Sequence, residues 1–479
     1  MGGEFALKRE SSLIKNTIIL TIGNIFPQIA SLIILPILTA CLTKEEYGTY
    51  DLISVLVSLL LPAATLQIET AAFRFLIETR KDAVKTKKII STVFAFVLII
   101  SLICLAITWF VINISTTSIK ILICLYFFID IIFTTTGQIA RGLDRNKDFA
   151  LCGIVVSVIK TVLIILSVNF YGMGLNGTLL ALLISTFTAW IILSFRIKIF
   201  KFISIKSFDF NGLKALLNYS WPMVPNALSM WVMRLSDRMV VTFFMGITWN
   251  AVYAASTKIP ALIHLAQRAF TLAWQENASI VSKDKDANMY YSCMHNYLLN
   301  LVGGFLCVLM SSMPFLFKLF IRGDYRDAYI HIPILLVAEF FYALATFLGG
   351  IYVAYMKTKS VGITTTIAAL INLIIDLFLI KHIGLFAASI STFVSYALLY
   401  LYRLIDIKKY IKIQISVFRL VIILIFSAIA FVSCLSNNIL VNILAIVLSL
   451  CFFAIINKDI LKNLFNVIRK YMSKKQEIK

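Results

Sequence analysis

The stretch IISTVFAFVLIISLICLAITWFVI, Ile89–Ile112, decides the fold class. It carries no charge and is long enough to span a bilayer as helix, which takes about 20 residues. It does not alternate apolar and polar positions, as a strand of a membrane β-barrel must. Similar runs recur along the chain, separated by short clusters of charge. The whole chain of 479 residues is 60% hydrophobic and 14% charged, with mean hydropathy +0.93. Soluble domains carry about 25% charged residues, so there is too little charge here to cover a cytosolic protein of this size. The sequence reads as an all-α polytopic membrane protein.

About fourteen spans are expected, near 13–38, 48–75, 89–112, 119–139, 150–171, 174–195, 213–244, 250–274, 290–313, 328–355, 361–380, 384–402, 416–434 and 438–456. The first run is long and lacks a small-residue cleavage site, so it is expected to remain as a span. No loop exceeds about 20 residues, too short for an extramembrane domain. Function must therefore sit within the membrane. The eight cysteines make no C-x-x-C and mostly fall in apolar runs, so they read as small buried hydrophobes.

Net charge is +21, which in a soluble protein would suggest nucleic acid. The placement of the charges argues otherwise. With the N-terminus inside, the inner segments hold 31 Lys and Arg and the outer ones 6, the latter being Lys44, Lys120, Lys318, Arg322, Arg326 and Lys381. Lys and Arg collect on the cytoplasmic side of membrane proteins, so both termini are expected in the cytoplasm. Topology explains most of the positive charge, and no nucleic-acid partner is implied.

The chain also echoes itself. Gly48-x-Tyr50 is matched by Ala251-x-Tyr253, and Gly174-Leu175-Asn176-Gly177 by Gly384-Leu385-Phe386-Ala387. The basic hairpin Arg145-Asn146-Lys147 is matched by Lys357-Thr358-Lys359. The offset corresponds to six spans, an even number, so the halves share one orientation. The expected layout is a cytoplasmic segment 1–12, an N-lobe 13–195, a cytoplasmic linker 196–212, a pseudo-symmetric C-lobe 213–402, two extra helices within 416–456, and a basic tail 457–479. Prolines fall in corresponding spans: Pro27 and Pro36 against Pro222 and Pro225, and Pro62 against Pro260. Proline frees a backbone carbonyl and bends a helix, as two rocking lobes require.

This pattern resembles the polysaccharide-exporter branch of the MATE-like (MOP) transporter superfamily, in particular the O-antigen flippases. The resemblance rests on the 6+6+2 spans, Asn24-Ile25-Phe26-Pro27-Gln28, Glu46-Tyr47-Gly48-Thr49-Tyr50 and Gly142-Leu143-Asp144-Arg145-Asn146-Lys147. It covers essentially the whole chain. It implies a flippase of the bacterial inner membrane that moves an undecaprenyl-diphosphate-linked oligosaccharide, an O-antigen or capsule repeat unit, from the inner to the outer leaflet. Membrane lipids, a polymerase and other polysaccharide-assembly proteins are the implied partners.

Six cations lie within or near spans: Arg74, Lys160, Arg234, Arg238, Lys258 and Arg268. Five acids accompany them: Glu69, Asp130, Asp237, Glu339 and Asp376. A charge at the helix centre costs about 2.5–3.5 kcal/mol on insertion scales, so such residues should face a wet cavity or a partner. A diphosphate calls for cationic, fork-shaped donors. Trp231, Arg234 and Arg238 share one helical face at i, i+3 and i+7, with Asp237 placed to restrain Arg234. With Lys258, Arg268, Lys160 and Arg74 they form the expected substrate-binding set. The alternative is a structural ion pair with snorkelling arginines. The five acids are candidates for H⁺ or Na⁺ coupling. No other cofactor, no metal site and no catalytic residue is expected. The rivals are a multidrug or cation antiporter of the same superfamily and a membrane polysaccharide polymerase. A polymerase needs a larger outer loop than about 314–327 offers. An antiporter's coupling acid belongs in the first span, which here holds Asn16, Asn24 and Gln28.

Overall fold

The computed structural model describes residue 23, residues 26–111, 116–264, 267, 271, 274, 278, 281, 282, 284, 286–436, 438–458 and 462. Among the described residues all regular structure is helical. The elements are α1 Phe26–Cys41, α2 Lys44–Thr65, α3 Ile68–Thr79, α4 Ala83–Val111, α5 Thr117–Gly142, α6 Asn146–Ile164 with a π-helical extension, α7 Gly174–Ile197, α8 Phe210–Ser220, α9 Val224–Met245 and α10 Ile247–Ser256. They continue with α11 Ala287–Phe320, α12 His331–Ala354, α13 Thr358–Ile383, α14 Phe386–Asp406, α15 Val417–Cys434 and α16 Ile439–Ile456.

Among the described residues eleven helices are long and apolar enough to cross a membrane. Three further expected spans stand beside them. The first is described only as the short apolar α1. The seventh is α9, whose hydropathy is lowered by Arg234, Asp237 and Arg238. The eighth opens as α10 and continues into partly described residues. Fourteen spans are compatible with this, and the chain is a multi-pass helical membrane protein.

The outward faces confirm the solvent. On α4, Ile90, Val93 and Val97 are buried, while Leu98, Ile99, Leu102, Ile103, Ile107 and Phe110 are exposed. That is the inverse of a soluble helix, whose exposed face is polar. The core of the first half gathers Ile68, Ala71, Ala72 and Leu76 of α3 against α4, α5 and α7.

Two compact units are present. One runs to Ala254 and takes in Phe320–Gly323; the other holds Ala255–Leu319 and the chain from Asp324 onward. Helices α9 and α10, which the sequence reading assigns to the second lobe, pack with the first unit. Within each unit the same turn recurs. After α5, Asp144 takes a left-handed conformation (φ 63°), and Arg145 N donates to Ala140 O at 2.8 Å. After α12, Met356 does the same (φ 57°), and Lys357 N donates to Tyr352 O at 2.7 Å. Both are helix stops that satisfy an end carbonyl through a left-handed residue. The basic hairpin echo is thus structural.

Two expected spans are broken. The second splits between α2 and α3, where Leu66 and Gln67 both have positive φ (49° and 58°). Pro62 lies in α2 one turn before this break. The seventh splits at a 3₁₀ turn, Trp221–Met223, where Pro222 and Pro225 open α9 rather than bend it. A proline costs a helix least at its first turn, where its missing N–H has no partner to lose.

The cysteines divide. Cys124, Cys152, Cys307 and Cys434 are buried as expected, whereas Cys41, Cys293 and Cys451 are exposed.

Candidate functional site

A stripe of α2 organises the polar part of the first unit. Gly48, Asp51, Val55 and Ser58 recur at i, i+3, i+7 and i+10, one face of a helix. All four meet α9 or α10. The capping box Thr43–Glu46 starts the helix, with Glu46 N donating to Thr43 Oγ1 at 3.1 Å and Thr43 N to Glu46 Oε2 at 3.0 Å. The other oxygen of Glu46 accepts from Leu175 N at 3.1 Å. Two of the echoed sequence elements, the turn at Glu46–Tyr50 and the opening of α7, are therefore in direct contact.

Gly48 is needed for close approach: a Cβ there would overlap the carbonyl oxygen of Ile247. The Gly48 carbonyl accepts from Asn250 Nδ2 at 3.0 Å. One turn further, Asp51 Oδ1 accepts from Arg238 NH1 at 3.1 Å, with side chains 5% and 13% exposed. Further still, Trp231 Nε1 donates to Val55 O at 3.2 Å and to Ser58 Oγ at 3.1 Å. The order along α9 runs opposite to that along α2, so the two helices are antiparallel. On α9 the neighbouring Asp237 is buried and accepts from Tyr253 OH of α10 at 2.8 Å.

The face Trp231–Arg234–Arg238 is thus split in use. Trp231, expected beside sugar, is buried and tied to α2. Arg238 bonds an acid that sequence reasoning missed. The heptad spacing of Gly48, Asp51, Val55 and Ser58 is the signal that could have found Asp51. Arg234 is exposed. Lys160 on α6 and Lys258 beyond α10 are half-buried. Arg74, in the middle of α3, is exposed and pairs with Glu78 at 2.9 Å. Arg268 lies outside the described residues, as do residues 1–22, most of the tail, Asn16 and Asn24.

The five acids occupy different settings. Glu69 is 3% exposed, sits just after the α2–α3 break, and its Oε2 has no hydrogen-bond partner among the described residues. Asp130 on α5 and Glu339 on α12 are half-buried. Asp376 on α13 is fully buried, one turn from Asn372, whose Nδ2 donates to Ser391 Oγ of α14 at 3.4 Å. Among the described residues no three His, Cys, Asp or Glu side chains converge as a metal site would need. His264 is held by Gln267 at 3.1 Å and meets Tyr342 edge-on.

A second buried cation went unread. Arg403 of α14 was counted among the cytoplasmic charges, yet it is 4% exposed. Its guanidinium donates to Ala345 O at 2.8 Å, Thr364 Oγ1 at 3.1 Å, Thr365 Oγ1 at 3.0 Å and Val361 O at 3.4 Å. Its counterpart in the first unit, Arg196 of α7, reaches the start of α6 in the same way but meets an acid, Asp148, at 2.6 Å.

A family model described as polysaccharide biosynthesis protein matches residues 13–266, more than half of the chain. The chain belongs to this polysaccharide biosynthesis family. Solved structures agree on the fold. The lipid II flippase MurJ in its inward closed conformation is 17% identical, with TM-score 0.71 over 93% of this chain and 100% of its own. An inward-facing multidrug resistance MATE family transporter of the MOP superfamily is 15% identical, with TM-score 0.65 over 82% of this chain and 95% of its own. A MOP superfamily transporter from Pyrococcus furiosus is 15% identical, with TM-score 0.57 over 83% and 95%. No curated protein matches the chain. The resemblance to the polysaccharide-exporter branch of the superfamily is borne out: this member of the polysaccharide biosynthesis family has the MOP fold, and its fold neighbours are transporters and flippases rather than enzymes.

Proposed function

We propose that this protein flips an undecaprenyl-diphosphate-linked oligosaccharide, an O-antigen or capsule repeat unit, from the inner to the outer leaflet of the bacterial inner membrane. One observation carries the reading: a chain of the polysaccharide biosynthesis family takes, over 93% of its length, the fold of a lipid II flippase. The physics requires such a device. Each sugar hydroxyl taken into hydrocarbon without a partner costs several kcal/mol, so an oligosaccharide does not cross unaided.

In this proposal the lobes 13–195 and 213–402 rock about each other, with both termini in the cytoplasm. Arg234 and Arg238, with Lys258, Lys160 and Arg268, hold the diphosphate. Trp231 and Asp51 position Arg238 rather than touch sugar, and Arg74 anchors at the interface. A proton or Na⁺ gradient drives the cycle through one or more of Glu69, Asp130, Asp237, Glu339 and Asp376. No Walker-type phosphate loop is present to supply ATP energy. A polymerase and other assembly proteins take the product at the outer face.

The test is lipid analysis of a strain lacking the protein. Complete repeat units on the lipid carrier should accumulate in the inner leaflet, with little surface polymer. Single repeat units at the surface would instead indicate a polymerase. Normal surface glycan with raised drug sensitivity would indicate an antiporter, and either result would displace the flippase reading.

A further inference from the structure

The two C-terminal helices do more than extend the bundle. Where α15 begins and α16 ends, they and α11 enclose a polar pocket of about 430 Å³. Its walls are Asn296, Tyr297 and Asn300 of α11, Arg419 of α15, and Ile456 and Lys458 at the end of α16.

The walls are built rather than incidental. Asn300 Nδ2 donates to Ile456 O at 3.0 Å, and Asn457 Nδ2 returns a bond to Asn300 O at 3.1 Å. Asn296 Nδ2 donates to Gln414 O, and its Oδ1 accepts from Ser416 N, both at 3.1 Å. Ser292 Oγ accepts from Gln414 N at 2.9 Å. Asparagines of one helix thus clip the start of α15 and the end of α16, which fixes the bases of Arg419 and Lys458.

Both cations are exposed, and among the described residues neither makes an ion pair. The helix end that carries Lys458 presents an apolar flank: Ile455 lines the pocket, and Ile455, Leu448 and Leu444 share one face of α16 and are exposed. A cationic, hydrogen-bonding pocket at helix ends, continuous with a lipid-facing apolar wall, has the amphipathic pattern of one class of ligand. A soluble anion would use the cations and leave the flank unused. A neutral lipid would use the flank and leave two cations unmatched. Basic pockets between helix ends bind acidic head groups for this reason.

We propose that this pocket is a binding site for an anionic membrane phospholipid, with Arg419 and Lys458 on the phosphate and the acyl chains along the exposed flank of α16. The site rests on the membrane architecture and is independent of the cargo. It would seat the C-terminal pair at the polar boundary of one leaflet.

The purified full-length protein, delipidated in a neutral detergent, provides the test. Phosphatidylglycerol binding is followed by native mass spectrometry, beside phosphatidylcholine and inorganic phosphate. Phosphatidylglycerol should be retained in preference to phosphatidylcholine. The Arg419→Ala, Lys458→Ala double variant should bind it about tenfold or more weakly, the effect of losing charge-assisted contacts. Cys293 lines the same pocket and gives a second readout without touching the cations. In a background lacking the other cysteines, phosphatidylglycerol should slow its reaction with a thiol probe and phosphatidylcholine should not. Equal binding by the double variant, or unprotected Cys293, would overturn the proposal. Full protection by inorganic phosphate alone would make the pocket a free-phosphate site and overturn the lipid assignment.

Discussion

Replacing Asp51 with Asn and Arg238 with Gln, singly and together, measures how firmly α9 is held to α2. The pair is dry, with side chains 5% and 13% exposed and a separation of 3.1 Å. A hydrogen bond to a charged group contributes about 1.5–3 kcal/mol, and removing one partner of a buried pair costs about 3–5 kcal/mol because its charge is left behind. Each single variant is therefore expected to lose about 3–5 kcal/mol, and the double variant less than the sum, with a coupling of about 1.5–3 kcal/mol. Trp231→Phe is the companion change. It keeps the ring but removes the N–H bonded to Val55 O and Ser58 Oγ, for a loss of about 1 kcal/mol. Reversible unfolding in mixed micelles, followed by circular dichroism, gives all these values. A coupling within about 0.5 kcal/mol of zero would refute the clip. Surface-polymer export by the same variants separates structure from binding. If Arg238 serves only Asp51, the double variant exports; if it also grips the diphosphate, the double variant folds and still fails.

Arg403→Ala should lose on the order of 3–5 kcal/mol, since a buried cation with four acceptors disappears, and Arg403→Lys should recover only part because Lys lacks the planar fork. Arg196→Ala, whose pair with Asp148 is half exposed on the arginine side, should lose about 1 kcal/mol or less; equal losses at the two sites in thermal unfolding would contradict the burial argument. Gly48→Val should cost about 1–3 kcal/mol or prevent assembly, because the backbone of Ile247 occupies the space a side chain needs; wild-type stability would show that the approach of α2 to α10 is looser than described. Single cysteines at Lys85, Lys206 and Lys408, in a background lacking native cysteines, should resist an impermeant thiol reagent in spheroplasts, while those at Lys44 and Asp324 react. Reversed labelling would sink the orientation.

Spans were readable because membrane insertion is decided locally. About 20 apolar residues in a row cannot stay in water, whatever lies elsewhere in the chain. The turn after α5 and its echo after α12 were readable for a similar reason, since a basic, polar hexapeptide between two apolar runs stops a helix wherever it occurs. The breaks were less visible. Nothing in Thr65-Leu66-Gln67-Ile68 is a strong breaker, yet Leu66 and Gln67 take positive φ. Tertiary packing imposes that conformation on residues that resist it alone.

The same division runs through the site. The residue types were legible: charges are so costly in a bilayer that every one invites a reason, and the arginines of α9 stood out at once. Their partners were not. Asp51 lies 187 positions from Arg238, Val55 lies 176 from Trp231, and no local pattern links positions so far apart. Arg403 counts among the 31 inner cations because its own helix ends there; only the packing of α12 and α13 against α14 made it a buried clamp. The sequence by itself determined that the chain is a membrane bundle and about where its apolar spans lie, because apolar length is a property of the chain. Only the tertiary structure decided which charges face each other, because that depends on which helix faces become neighbours, and the cost of burying a charge is set by the partner it meets there.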